Sequence, residues 1–295
     1  MRYRIPTGIR PVNHTNFDLY KMHVPRFLLL LLILPVLMVA GCTNDELDEP
    51  MTRPEPEPPL ESITLTFDHP DCQIRKEPCV HLYFHYPVYS GSTPLSDSLR
   101  IWTERQLFYP EPGAIPTIAD SLAKEWFRDY DRYAQQIQGY NLSWSLERSI
   151  EQIFESETLV TLHFHEFSFS GGAHPQQLDL FRSFIKPQGK QITLADLTYD
   201  YRAFEQLVAL TEEHFRFSFE LLESENLTDA GFHFLDGQFH LTENFAFTEY
   251  GLLFYFNAYE VAPYATGPIA IELPYEDLEY LIRSRWLYQR TRLAL

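Results

Sequence analysis

The stretch FSFSGGAHPQ, residues 167–176, sets a serine, two glycines and a histidine directly after a strand-like run of aromatics. Three kinds of chemistry compete for it. A nucleophilic Ser170 needs a G-x-S-x-G elbow, with the serine between glycines on a strand-to-helix turn. Here the glycines follow the serine and a strand-like segment follows the glycines, so serine hydrolysis is set aside; His174, four residues on, does not by itself make a triad. Metal binding is the sharper rival. His163 and His165 are two residues apart, so a regular strand projects both imidazoles from one face, and His174 could fold back to join them. Three nitrogens and a water would make a zinc site. Glu166 falls on the opposite face, and no anchored pattern such as H-E-x-x-H accompanies the histidines. The third reading is a tight turn. Gly171 and Gly172 supply positive φ, Ala173 is small so that backbones can approach, and Pro175 stiffens the exit.

TFDHPD, residues 66–71, echoes the T-F-D-D-G-P strand end of polysaccharide deacetylases. The second aspartate is replaced by His69 and the glycine by Pro70. The companion H-S/T-x-x-H-P pattern would carry Ser170 in place of its leading histidine. Two broken halves do not make the site, and deacetylase activity is rejected.

The elements that must position these residues follow from periodicity. SITLTFD (62–68) and VHLYFHY (80–86) read as strands. STPLSDSLRIWTERQLFY turns helical, and a second helix aligns Ile118, Leu122, Trp126, Tyr130, Tyr133 and Ile137 on one inward face. Strands follow over 142–154 and 158–169. In the second, Val160, Leu162 and Phe164 are out of phase with Phe167 and Phe169, which predicts a β-bulge near His165 or Glu166, or a strand buried on both faces. After GGAHPQ come the strand QLDLFRSFI and the short TLADL. A long helix over 201–222 is expected to bury Phe204, Val208, Thr211, Phe215 and Leu222. A β-meander then runs through FHLTENFAF, LLFYF and PIAIEL, and PYEDLEYLIRS closes as a short helix. The order predicts an α+β fold: antiparallel sheets with helices packed on one face, in strand–helix–strand–helix–strand order.

The N-terminus points to the cell envelope. FLLLLLILPVLMVA (27–40) follows Lys21 and Arg26, too short for an ordinary membrane span, and ends in VAGC. That is a lipobox, so residues 1–41 are expected to be a lipoprotein signal peptide and Cys42 the lipid attachment site. Met22 competes with Met1 as the true start. Residues 42–60 are acidic and proline-rich, which suits an extended tether and not a core. The chain holds 23 Lys and Arg against 41 Asp and Glu; five of the first group and one of the second precede Cys42, leaving residues 42–295 with 18 against 40 and a net of −22. Such a surface excludes nucleic acid as a partner, because phosphate contacts need clustered cations; it would steer a cationic protein inward. Cys72 and Cys79, in DCQIRKEPCV, are expected to pair as a disulfide staple in an oxidising compartment.

Strand, SGGAHP, strand, G…TLADL, long helix and LLFYFNAYEVAPYATGPIAIELPYEDL, in that order over about 158–282, resemble the RsiV-like domain. That domain is the extracytoplasmic part of RsiV-type anti-sigma factors and accompanies PdaC-type peptidoglycan deacetylases. Residues 61–157 read as the N-terminal half of the same envelope module and 158–295 as the RsiV-like domain itself. The resemblance implies a non-enzymatic α+β domain, without cofactor, that binds lysozyme. It marks Ser170, Gly171, Gly172, Ala173, His174, Asn257, Tyr259, Tyr264 and Gly267 as motif or binding residues. Anti-sigma signalling is not carried over, because the tether ends at Cys42. The expectation is a non-catalytic domain anchored by lipid and facing the periplasm or exterior (the outer membrane, in a Gram-negative cell). Its ligand would be lysozyme, another cationic protein or a peptidoglycan fragment. The alternatives are a metal-dependent cell-wall hydrolase using His163, His165 and His174, and a structural lipoprotein of an envelope complex.

Overall fold

Two strands, β1 (Ser62–Asp68) and β2 (Val80–Pro87), pair antiparallel across a loop closed by the Cys72–Cys79 disulfide, whose Cα atoms lie 5.3 Å apart. This computed structural model describes residues 61–73, 79–108 and 119–287. The expected signal segment, Cys42, the tether and Ile118 lie outside them. Among the described residues no helix is long and apolar enough to cross a membrane.

From β2 the chain passes through α1 (Pro94–Phe108) and α2 (Ala119–Gln136) before β3 (Trp144–Glu155). β3 pairs with β2 in parallel, in a fold that is otherwise antiparallel throughout its named strands. Two helices supply the long crossover that a parallel pair requires. β4 (Leu159–Phe169), β5 (Gln176–Ile185) and β6 (Lys190–Gln191) extend an antiparallel meander, giving a six-stranded sheet in the order β1-β2-β3-β4-β5-β6. The sheet therefore runs uninterrupted across residue 158. After α3 (Leu194–Leu197) and α4 (Tyr201–Ser218), a second, three-stranded antiparallel sheet forms from β7 (Phe245–Phe247), β8 (Gly251–Phe256) and β9 (Ile269–Pro274). A last turn of helix, α5 (Ser284–Leu287), follows. The class is α+β.

Two cores sit on opposite faces of the large sheet. Val80, Leu82, Phe84, Leu146, Ile150, Val160, Leu162 and Phe164 alternate along β2, β3 and β4 toward α1 and α2, where they meet Leu99, Trp102, Leu122 and Tyr130. The inward face of α2 runs out beyond Tyr130: Tyr133 and Ile137 are 42% and 41% exposed. The second core packs Leu159 and Phe154 against α4 and the small sheet, through Leu207, Phe215, Phe254, Phe256, Ile269 and Ile271. Leu159–Leu162 are consequently buried on both faces.

β4 nevertheless keeps an unbroken register against β5, so Phe167 and Phe169 share the face of His163 and His165, where they are half-buried. The register shift lies in the partner strand, between Gln152 and Phe154 of β3, and not at His165 or Glu166. Glu166 faces the helical side, where its Oε2 accepts from the buried Arg148 Nε at 2.7 Å.

Other boundaries also differ from expectation. α4 stops at Ser218 because Glu220 takes a left-handed φ of 55° and the Leu221 N–H returns to Arg216 O at 2.9 Å. No glycine announces that stop, so periodicity carried the helix to Leu222, which is 70% exposed. α4 buries Ala203, Leu207, Thr211 and Phe215, with Phe204 and Val208 half-buried. Of FHLTENFAF only Phe245–Phe247 is strand, and PYEDLEYLIRS gives a 3₁₀ turn over Tyr275–Leu278 separate from α5.

Candidate functional site

Alternate positions on β4 carry His163 and His165, and the antiparallel register places Asp179 of β5 directly opposite His165. All three side chains then share one face of the sheet. Asp179 Oδ1 accepts from His163 Nε2 at 2.7 Å and from His165 Nδ1 at 2.9 Å. Asp179 Oδ2 accepts from the Tyr255 hydroxyl of β8 at 3.1 Å. Burial alone would raise the Asp179 carboxyl, yet the two imidazole hydrogen bonds hold it well below the usual carboxylate range. The bond to Asp179 raises His165 against the effect of its own burial. Burial, together with the Asp179 charge, pushes the Tyr255 phenol up, so it stays protonated and donates. The result is a fixed anion between three ring donors.

The Asp179 backbone is held as firmly. β5 has β4 on one side, and on the other its outer half meets asparagine side chains from the C-terminal region. Asn257 Oδ1 accepts the Asp179 N–H at 2.8 Å, and Asn257 Nδ2 donates to Asp179 O at 3.0 Å. Asn244 Nδ2 donates to the same carbonyl at 2.8 Å, while its Oδ1 accepts the Phe181 N–H at 2.8 Å. Further in, the buried Thr161 and Ser183 hydroxyls take up the Phe247 backbone: Thr161 Oγ1 donates to Phe247 O at 2.8 Å and Ser183 Oγ accepts the Phe247 N–H at 3.0 Å. Side chains thus satisfy the backbone where the two sheets meet.

The GGAHP corner lies at the far end of β4 and β5. His174 Nδ1 bonds Pro175 O at 3.0 Å, and a carbonyl only accepts, so Nδ1 carries the proton. In the neutral ring Nε2 is then the acceptor for the Tyr259 hydroxyl at 3.0 Å. The Tyr264 ring stacks on His174, centroids 4.0 Å apart and planes 17° apart, and Tyr264 lies 5.4 Å from Tyr259. Tyr259 itself has φ 69° and is 62% exposed, an uncommon conformation for a bulky residue and a pointer to a constrained surface. Asn257 and Glu260 brace the loop from below, with the Asn257 N–H on Glu260 Oε2 at 2.8 Å.

This geometry separates the residues that the sequence had grouped. His174 does not join His163 and His165: both its nitrogens are taken at the corner, and the third member of the histidine cluster is Asp179. Ser170 is exposed, with its neighbouring imidazole committed elsewhere. Gly171 does need its glycine, having φ +85° and the Tyr140 hydroxyl where a Cβ would lie. Gly172 has no positive φ, and Ala173 is exposed. Gly267, at φ 75°, ends a 3₁₀ turn begun at Tyr264. His69 of TFDHPD is buried edge-on to Phe127, with Nδ1 accepting the Asp71 N–H at 3.2 Å and Nε2 3.4 Å from Asp131.

Sequence reasoning missed Asp179, Asn244 and Tyr255. An aspartate in the middle of the strand QLDLFRSFI was the available signal, because a carboxylate inside an apolar strand needs partners. Asn244 and Tyr255 carried no such mark.

Fold and site together define a two-sheet α+β module with an aromatic corner and a carboxylate–imidazole cluster along the junction of its sheets. Residues 195–276 match the family model described as a protein of unknown function, DUF3298. Among solved structures the chain is similar to a DUF3298-family protein from Bacteroides fragilis, with TM-score 0.61 and 23% identity over 79% of this chain and 96% of that one. It is also similar to a DUF3298-family protein from Pseudomonas aeruginosa, with TM-score 0.58 and 18% identity over 78% and 97%. At these identities the likeness is one of fold. No curated protein matches the chain.

Proposed function

We propose that this chain is a non-catalytic binding domain of the cell envelope, tethered through a lipid on Cys42, whose aromatic corner docks a cationic protein of the lysozyme kind. One observation carries the reading: Tyr259 is held in a left-handed conformation with its ring exposed, beside His174 and Tyr264. A chain that pays for a strained, outward tyrosine gains nothing from it in burial. Rigid aromatic surface of this sort supplies contact area at low entropic cost and offers ring faces to Lys and Arg. The net of −22 over residues 42–295 speeds encounter with a cationic partner and not with an anionic one. The motifs that form the corner, SGGAHP and NAYEVAPYATG, are those that resemble the RsiV-like domain.

The test is binding to lysozyme at physiological salt, with Tyr259→Asn and Tyr264→Ala beside the unaltered chain. Saturable binding that weakens about tenfold in either variant supports the reading, since aromatic anchors commonly carry 1–3 kcal/mol, roughly, of an interface. Binding of muropeptides in its place would move the ligand to a cell-wall fragment. Binding unaffected by both variants would remove the corner from the interface.

A further inference from the structure

One ring nitrogen of His163, one of His165 and a carboxylate oxygen of Asp179 lie within 4.8 Å of one another, on the open part of the sheet face. We propose that these three atoms bind one divalent transition-metal ion of the zinc type, with Tyr255 positioning the carboxylate. Two imidazoles and a carboxylate are a donor set suited to zinc, copper or nickel and poorly suited to magnesium or calcium. Around such an ion, ligand atoms at about 2.0–2.2 Å from the metal stand about 3.3 Å from each other. The two imidazole nitrogens already stand 2.7 and 2.9 Å from Asp179 Oδ1. Each nitrogen–oxygen separation would widen by about 0.5 Å to admit the ion, and the N–H proton that now points at the carboxylate would pass to the other nitrogen of a neutral ring or, from a protonated ring, to solvent.

The ligands are held by rigid elements. His163 and His165 sit in the unbroken register of β4, and Asp179 in β5. The His163 ring stacks on Phe181 at 4.3 Å with planes 4° apart, which fixes the direction of its Nε2. Asp179 Oδ2 is occupied by the Tyr255 hydroxyl, which leaves Oδ1 for the ion; such outer hydrogen bonds orient a metal's ligands. The backbone of Asp179 is clamped by Asn257 and Asn244.

Access completes the geometry. Along the same face, Thr161 and Ser183 are buried beneath β7, whereas the side chains of His163 and His165 are 24% and 36% exposed. The cluster therefore stands where the cover of the second sheet ends, leaving the outer side of the ion for water or a ligand atom. Glu151, across from His163 on β3, adds negative charge nearby.

The experiment is calorimetric titration of the metal-stripped chain with ZnCl2. One equivalent should bind, and His165→Gln and Asp179→Asn, both close in shape, should each weaken binding at least tenfold. Tyr255→Phe should weaken it by a smaller factor, while Glu151→Gln should leave the stoichiometry at one. Circular dichroism checks that each variant is folded. Loading with Co2+ gives an independent readout, a ligand-field absorption that His165→Gln diminishes. No zinc uptake, or uptake equal in the chain and in folded His165→Gln and Asp179→Asn, would overturn the site and assign any binding to scattered surface carboxylates. The site stands apart from the aromatic corner: Tyr259→Asn should keep the zinc equivalent, so either reading can fail without the other.

Discussion

Asn257 meets Asp179 as a neighbouring β-strand would, its amide oxygen taking the Asp179 N–H at 2.8 Å and its amide nitrogen giving to the Asp179 carbonyl at 3.0 Å. One side chain thereby replaces a ladder step between the large sheet and the loop that follows β8. Asn257→Ala would leave the Asp179 N–H without this partner in a half-buried position. A loss of about 1–3 kcal/mol in unfolding free energy is expected, read from denaturant midpoints at constant slope. Asn257→Asp should lose nearly as much, because a carboxylate cannot donate to the carbonyl. Equal stability of all three chains would mean that the amide bridge contributes nothing.

Gly171 is bound to its identity twice, by φ +85° and by the Tyr140 hydroxyl that fills its Cβ position. Gly171→Ala is expected to lower Tm, by several degrees for a cost of about 1–2 kcal/mol. Gly172→Ala, with no positive φ and only the His174 carbonyl oxygen in ordinary contact at 3.8 Å from a Cβ, should be within about 0.5 kcal/mol of the unaltered chain. Similar effects from both substitutions would contradict the assignment of the corner's strain to Gly171.

Tyr259 offers the opposite combination. Tyr259→Asn puts a residue tolerant of the left-handed region at φ 69°. Stability should hold or rise by a few tenths of a kcal/mol, roughly, while lysozyme binding falls. A clear fall in Tm with binding intact would make the ring a packing element and not a contact.

Asp196 governs part of the acid response. Burial would raise its carboxyl, but the Lys190 ammonium and the Thr193 N–H and hydroxyl overcome that and hold it at about 2. Because the folded value lies below the unfolded one, its contribution is whole above about pH 4 and is lost as pH falls toward 2. Denaturant midpoints of the chain and of Asp196→Asn should therefore differ at pH 6 and converge toward pH 2. A constant difference across that window would dismiss the ionised carboxylate as the cause.

Cys42 lies outside the described residues, and the lipid proposed for it is tested in cells. Labelled palmitate should enter the chain and be absent from Cys42→Ser, which should also leave the membrane fraction. Incorporation into Cys42→Ser would place the lipid elsewhere.

The first five strands of the large sheet, the helices α1, α2 and α4 and the Cys72–Cys79 pairing were legible in the chain because each rests on local pattern: alternation, a 3.6 period, or two cysteines in one loop; β6, two residues long, carries no such pattern. The corner was half legible, since glycines at a turn announce themselves. Its pairing with Tyr259, 85 residues from His174, rested on resemblance and not on spacing.

What the sequence determined by itself is the inventory and its local periods: which residues are apolar, where strands alternate, that His163 and His165 share a face. Tertiary structure decided which distant groups meet. It brought Asp179 and Tyr255 to those histidines and sent His174 to the tyrosines, and it buried both faces of β4 at Leu159–Leu162 while that strand kept its register without a bulge. The physical reason is that periodicity reports the environment of one element at a time. A carboxylate's partners, by contrast, are chosen by strand register and by the docking of a second sheet, and both depend on contacts formed across the whole domain.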